Sequence, residues 1–134
     1  MDTTTLPWVA IVDDEAAIRR ALLRLLRAAG IPARDYDGGA ALLAALQDGS
    51  GSGSGAGVPF CVVLDLHMPG MSGFEVQQRL AELAPRTGVI AVTGQHSAEG
   101  QARVLRGCAL AYMLKPMNDQ ALLEAIAAAR TGWE

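Results

Sequence analysis

Lysine is almost absent from this chain: of eleven basic residues ten are arginine, and the one lysine is Lys115. A single ammonium in that setting calls for a specific explanation. Cysteine is scarce as well, and Cys61 and Cys108 lack the CxxC spacing of metal or redox pairs. Cys61 lies inside an apolar run, so both are expected to be buried, reduced thiols. No apolar stretch reaches the roughly 20 residues that span a bilayer. The N-terminus MDTTTLPWVAIVDDE has no basic region leading into a cleavable apolar segment, so a cytoplasmic location away from any membrane is expected. Eleven basic against fourteen acidic residues leave a net charge of −3 with no dense Lys/Arg cluster, which argues against direct nucleic-acid binding. What is present is apolar material: 51% hydrophobic against 19% charged residues, enough for a buried core and unlike a disordered chain. At 134 residues the expectation is a single domain over 1–134.

Short apolar runs alternate five times with segments of helical periodicity. That alternation predicts βα units around a parallel sheet, hence an α/β fold. Trp8 to Val12 reads as the first strand, and Asp13 and Asp14 follow it. Ile18, Leu22, Leu25, Leu26 and Ala29 line one face of a helix stopped by Gly30. Ala33 to Tyr36 is a weak second strand, followed by a short helix over Gly39 to Asp48. Phe60 to Leu64 is a continuous apolar run of the kind expected from a strand covered on both faces, and it ends on Asp65. Ser72 and Glu75 match a capping box, predicting a helix from Gly73 to Ala84 before Pro85. Val89 to Thr93, a polar helix over Ser97 to Arg106, Tyr112 to Leu114, and a last helix capped by Asn118 complete the pattern.

The low-complexity stretch Gly49 to Gly57 lacks the Lys-Ser/Thr ending of a P-loop and precedes a strand, which puts it at the edge of the sheet opposite to where ligands bind. It is expected to be a mobile connector.

This framework sends Asp13 and Asp14, Asp65, Thr93 and Lys115 to the ends of successive strands at one edge. Three carboxylates form an oxygen-rich site suited to a hard cation such as Mg2+. A hydroxyl and an ammonium beside them fit a phosphoryl group attacked in line by a carboxylate, and Asp65 is the natural nucleophile. Each residue alone is more often a cap or a turn; their convergence carries the reading.

The segments IVDDE at 11–15, VVLDLHMPGMSGFE at 62–75, VTG at 92–94 and YMLKP at 112–116 resemble receiver domains of two-component response regulators, and the middle two are closest in wording to FixJ-type regulators. The resemblance covers essentially residues 7–131. It implies a doubly wound, CheY-like (βα)5 domain with strand order 2-1-3-4-5. It also implies that Asp65 accepts phosphate from a sensor histidine kinase or phosphotransfer protein, that Asp14 binds Mg2+ with Asp13 assisting, and that His67 lends its backbone carbonyl to the metal. Thr93 and Lys115 would hold phosphoryl oxygens, and Tyr112 would swing inward when Thr93 moves. Pro69 and Gly73 would shape the loop after Asp65, and Pro116 would follow a turn often made with a cis peptide. His67 and Gln95 flank the path of an attacking water and are expected to set the lifetime of the phosphorylated form. The protein would then be a signalling switch that catalyses only its own phosphorylation and dephosphorylation. The face formed by its fourth helix, fifth strand and last helix would be remodelled for a downstream partner or output domain, and a phosphorylation-favoured homodimer is a secondary expectation. Kinase choice would lie on the first helix near Arg19, Arg20 and Arg24 and near Met117.

Three rivals remain. One is the receiver half of a larger DNA-binding regulator. Another is a haloacid-dehalogenase-like phosphatase, whose signature wants an Asp where His67 stands. The last is a degenerate scaffold, against which the complete set of site residues argues.

Overall fold

The computed structural model describes residues 7–52 and 57–133. Five strands, β1 (Val9–Val12), β2 (Ala33–Tyr36), β3 (Cys61–Asp65), β4 (Gly88–Thr93) and β5 (Ala111–Leu114), alternate with α1 (Ala16–Ala28), α2 (Gly39–Ser52), α3 (Gly73–Leu83), α4 (Ala98–Arg106) and α5 (Asp119–Trp133). The sheet is parallel throughout, in the order β2-β1-β3-β4-β5. This is the doubly wound topology expected.

The side-chain alternation of a strand explains the continuous apolar runs. In β1, β3 and β4 the odd-even sets divide between two cores. Val9, Ile11, Cys61, Val63, Ile90 and Val92 pack with Leu22, Leu26, Leu122 and Ile126 of α1 and α5. Ala10, Val12, Val62, Leu64, Val89 and Ala91 pack with Leu42, Leu46, Val76, Leu80 and Val104 of α2, α3 and α4. The three central strands are therefore apolar at nearly every position, while the edge strands β2 and β5 are only partly buried.

Local signals hold where they are chemically specific. The Ser72–Glu75 capping box forms in both directions, at 2.9 and 3.3 Å, and Asn118 Oδ1 accepts from Ala121 N at 2.9 Å. Gly30 leaves α1 at φ 77°, a conformation that side chains with a Cβ rarely adopt. Helix α2 differs from expectation, because it runs on to Ser52, into the Gly/Ser stretch. Once a helix is nucleated by packed leucines, each added turn needs far less than a new nucleus. Residues 53–56 of the predicted connector lie outside the described residues. Cys61 is buried as expected, whereas Cys108 is exposed because it sits in the reversal after α4, at φ 72°.

Candidate functional site

Strand parity also sorts the polar residues at and just beyond the strand ends. Asp13, Asp65 and Lys115 continue the α1/α5-facing sets of β1, β3 and β5, whereas Thr93 and Tyr112 belong to the α2/α3/α4-facing sets of β4 and β5. The sheet edge thus carries two adjoining polar groups, one on each face.

On the first side the single lysine is accounted for. Lys115 Nζ donates to Asp13 Oδ2 at 2.8 Å and lies 3.4 Å from Asp65 Oδ2 and 3.7 Å from Glu15 Oε1. Asp13 and Asp65 are each 3% exposed. Asp13 Oδ1 accepts from Glu15 N at 2.8 Å, and Asp65 Oδ1 from His67 N at 3.2 Å. Asp14 is exposed, yet one carboxylate oxygen from each of Asp13, Asp14 and Asp65 lies within 4.8 Å of the others. Three carboxylates against one ammonium leave an excess of negative charge on hard oxygen donors, and that donor set fits Mg2+.

The electrostatics follow from burial. Desolvation raises the Asp65 carboxyl above its ordinary value of 3.8, the Asp13 charge adds to the rise, and the His67 N–H and the Lys115 ammonium oppose it. For Lys115 burial is the largest single influence and favours the neutral amine. The bond to Asp13 and the charges of Asp65 and Asp13 together outweigh it and raise the pKa. By contrast, burial alone pushes the Cys61 thiol up to about 12, which leaves it inert.

On the second side Thr93 is fully buried. Its Oγ1 donates to Gln95 O at 3.0 Å and accepts from Gln95 N at 3.1 Å. Tyr112 lies half-buried with its hydroxyl turned to the β4–α4 loop, where it accepts from Ser97 N at 3.1 Å and lies 3.3 Å from His96 Nδ1. The two sides are joined by backbone, since Lys115 N donates to Thr93 O at 2.8 Å. The Lys115–Pro116 peptide is cis.

Backbone packing holds the loop after Asp65 in place. Gly73 N donates to Leu66 O at 3.0 Å, and a Cβ at Gly73 would stand 2.4 Å from Asp65 O and 2.7 Å from Leu66 Cα. Only glycine lets the start of α3 approach this closely. Between α3 and α4 a groove of about 580 Å³ is lined by His67, Phe74, Gln95, Arg103 and Tyr112, so His67 and Gln95 both face it from beside the acid pocket.

Three contributors escaped the reading of the sequence. Glu15 reaches towards Lys115. Gln77, buried in α3, donates from Nε2 to Val104 O at 2.9 Å and Gly107 O at 3.0 Å, pinning the end of α4. Arg19, expected on the outer face of α1, instead turns inward to Asp13 O and Asp35.

A parallel five-stranded sheet with an acid cluster and a lysine at its carboxyl edge defines a class, and comparison with known proteins agrees. The model of the response regulator receiver domain matches residues 9–127, and the chain belongs to that family. It is similar to nodulation protein W of Bradyrhizobium diazoefficiens, 30% identical over 96% of this chain and 53% of that protein. It is likewise similar to the transcriptional regulatory protein FixJ of Azorhizobium caulinodans, 30% identical over 90% of this chain and 53% of that one. Among solved structures, a CheY-like receiver domain protein from Methanospirillum hungatei superposes with a TM-score of 0.83 at 27% identity, covering 95% of this chain and 96% of that one. The chain spans about half the length of the curated relatives it matches. No helix among the described residues is long and apolar enough to cross a membrane.

Proposed function

We propose that Asp65 is the phosphoacceptor of a cytoplasmic two-component phosphorelay. The observation that carries this reading is the meeting of Asp13, Asp14, Asp65 and the chain's one lysine at a single strand edge. A carboxylate oxygen of Asp65 attacks the phosphorus of a phosphohistidine on a sensor kinase or phosphotransfer protein. The P–N bond breaks, and the product is an aspartyl phosphate. Mg2+, held by Asp13, Asp14, Asp65 and the His67 backbone carbonyl, would neutralise charge on the transferring oxygens. Lys115 pairs with one phosphoryl oxygen once its bond to Asp65 is given up, and the Asp13 contact keeps the ammonium aimed at the pocket. The protein is then a signalling switch that acts only on its own aspartate.

The same reading gives Thr93 and Tyr112 a sequence of moves. For the Thr93 hydroxyl to donate to a phosphoryl oxygen it must leave Gln95, and the loop carrying Gln95, His96 and Ser97 loses that anchor. The Ser97 N–H then parts from Tyr112, whose ring is free to turn inward, and the α4-β5-α5 face changes for a partner. Leu105, Leu110 and Leu114, on and around α4 and β5, are exposed, as a face that meets a downstream protein or a second copy would require. The half-length match to transcriptional regulators supports a second reading, in which this domain controls a DNA-binding output domain.

Intact-mass measurement after incubation with a small-molecule phosphodonor, with and without Mg2+, tests the proposal. A single metal-dependent phosphoryl adduct that is absent from Asp65→Asn is the expected result. A folded, Mg2+-binding wild type that takes no adduct would overturn it, as would turnover of a generic phosphomonoester.

A further inference from the structure

Residue Asp13 stands one position past the last paired residue of β1, so its carbonyl has no place in the strand ladders. A buried carbonyl in that position needs another donor. Arg19 supplies it: Nη1 donates to Asp13 O at 2.8 Å, while Nε donates to Asp35 Oδ2, near the end of β2, at 3.0 Å. The arginine side chain is 18% exposed, unlike its exposed neighbours Arg20, Arg24 and Arg27. The carbonyl that it holds belongs to the peptide unit joining Asp13 to Asp14. Asp13 is also held by its own N–H, which donates to Tyr36 O at 3.2 Å, and by the Glu15 N–H and the Lys115 ammonium on its carboxylate. The guanidinium thus contacts that peptide directly, at the carbonyl next to Asp14.

We propose that Arg19 is a positioning residue for the metal-binding acids, a strut from α1 anchored on Asp35 of β2 that holds the Asp13–Asp14 peptide so that the exposed Asp14 carboxylate stays beside Asp13 and Asp65. This inference rests on the reading of those three acids as the Mg2+ site. The strut works against a real force, since three carboxylates within 4.8 Å repel one another and the exposed one is freest to swing away. An arginine is suited to the task because its planar fork reaches two acceptors in fixed directions, which a lysine ammonium on a flexible stem does not.

The sign of the effect separates this role from simple charge. Removing a positive charge near an acidic site strengthens cation binding by Coulomb's law alone; losing the strut weakens it. Calorimetric titration with Mg2+ of the wild type, Arg19→Ala, Arg19→Lys and Arg20→Ala is the test. Arg19→Ala is expected to raise the Mg2+ dissociation constant about tenfold, the scale at which supporting residues act on metal affinity. Arg19→Lys should recover part of the loss, because an ammonium can still cap the carbonyl, and Arg20→Ala should match the wild type or bind slightly tighter. Asp35→Asn weakens only the far anchor, by removing its charge, and guards against a misfolded Arg19→Ala; a smaller loss in the same direction is expected. Mg2+ binding by Arg19→Ala and Asp35→Asn as tight as the wild type overturns the strut. A wild type that takes up no Mg2+ overturns the acid-site reading itself, a result distinct from the first.

Discussion

On the α1/α5 side of the sheet, Lys115 is locked 2.8 Å from Asp13 and 3.4 Å from Asp65 in a pocket that excludes most solvent. On the α2/α3/α4 side, the Tyr112 hydroxyl meets Ser97 N at 3.1 Å and His96 Nδ1 at 3.3 Å in the open. The first set uses full charges in a dry setting, where each bond is strong and an unmatched partner is costly. The second uses neutral groups that water can replace with little loss. A phosphoryl transfer needs fixed geometry, and a readout needs two arrangements close in energy; the two faces divide those demands between them.

Breaking the locked side should have the largest effect. Lys115→Met leaves Asp13 and Asp65 buried side by side without a counter-charge, and stranding one partner of such a pair typically costs about 3 kcal/mol. Urea unfolding in metal-free buffer should show that loss, and added Mg2+ should restore part of it by supplying the missing positive charge. An unchanged midpoint would mean that the pocket is wetter than its burial implies.

Titration sharpens the same point. Because the Asp65 carboxyl is raised above 3.8, chiefly by burial, the folded state holds that proton more tightly than the unfolded chain. Ionising Asp65 therefore subtracts stability as the pH climbs through the window that opens near 3.8. Without Mg2+, Asp65→Asn should be more stable than the wild type at neutral pH, with the gap closing as the pH falls below that window. A gap that stays constant with pH would contradict the assignment. On the open side, Tyr112→Phe should cost less than about 1 kcal/mol, since the hydroxyl's partners gain water in exchange. A cost as large as that of Lys115→Met would erase the contrast between the two faces.

The topology was legible because a parallel sheet covered on both faces writes its strands as apolar runs, and each of three such runs ends in an acid or a hydroxyl: Val12 before Asp13, Leu64 before Asp65, Val92 before Thr93. The capping residues Ser72 and Asn118 act within three positions of themselves, so sequence shows them too. Arg19 and Gln77 were not legible for the opposite reason. Their acceptors lie on other elements, Asp35 for the first and Val104 and Gly107 for the second. Whether an arginine on α1 faces solvent or a strand end depends on how far the helix is rotated against the sheet, and periodicity leaves that angle open by about one residue. The end of α2 was misjudged because composition speaks to propensity and not to the lower cost of extending a helix already begun.

The placement of the single lysine has an experimental use outside phosphorylation. Amine-acylating reagents find one side-chain target in this chain, and that target is shielded while its ammonium is clasped by Asp13 and Asp65. The rate at which Lys115 is labelled therefore reports, without any introduced probe, how often the acid pocket opens.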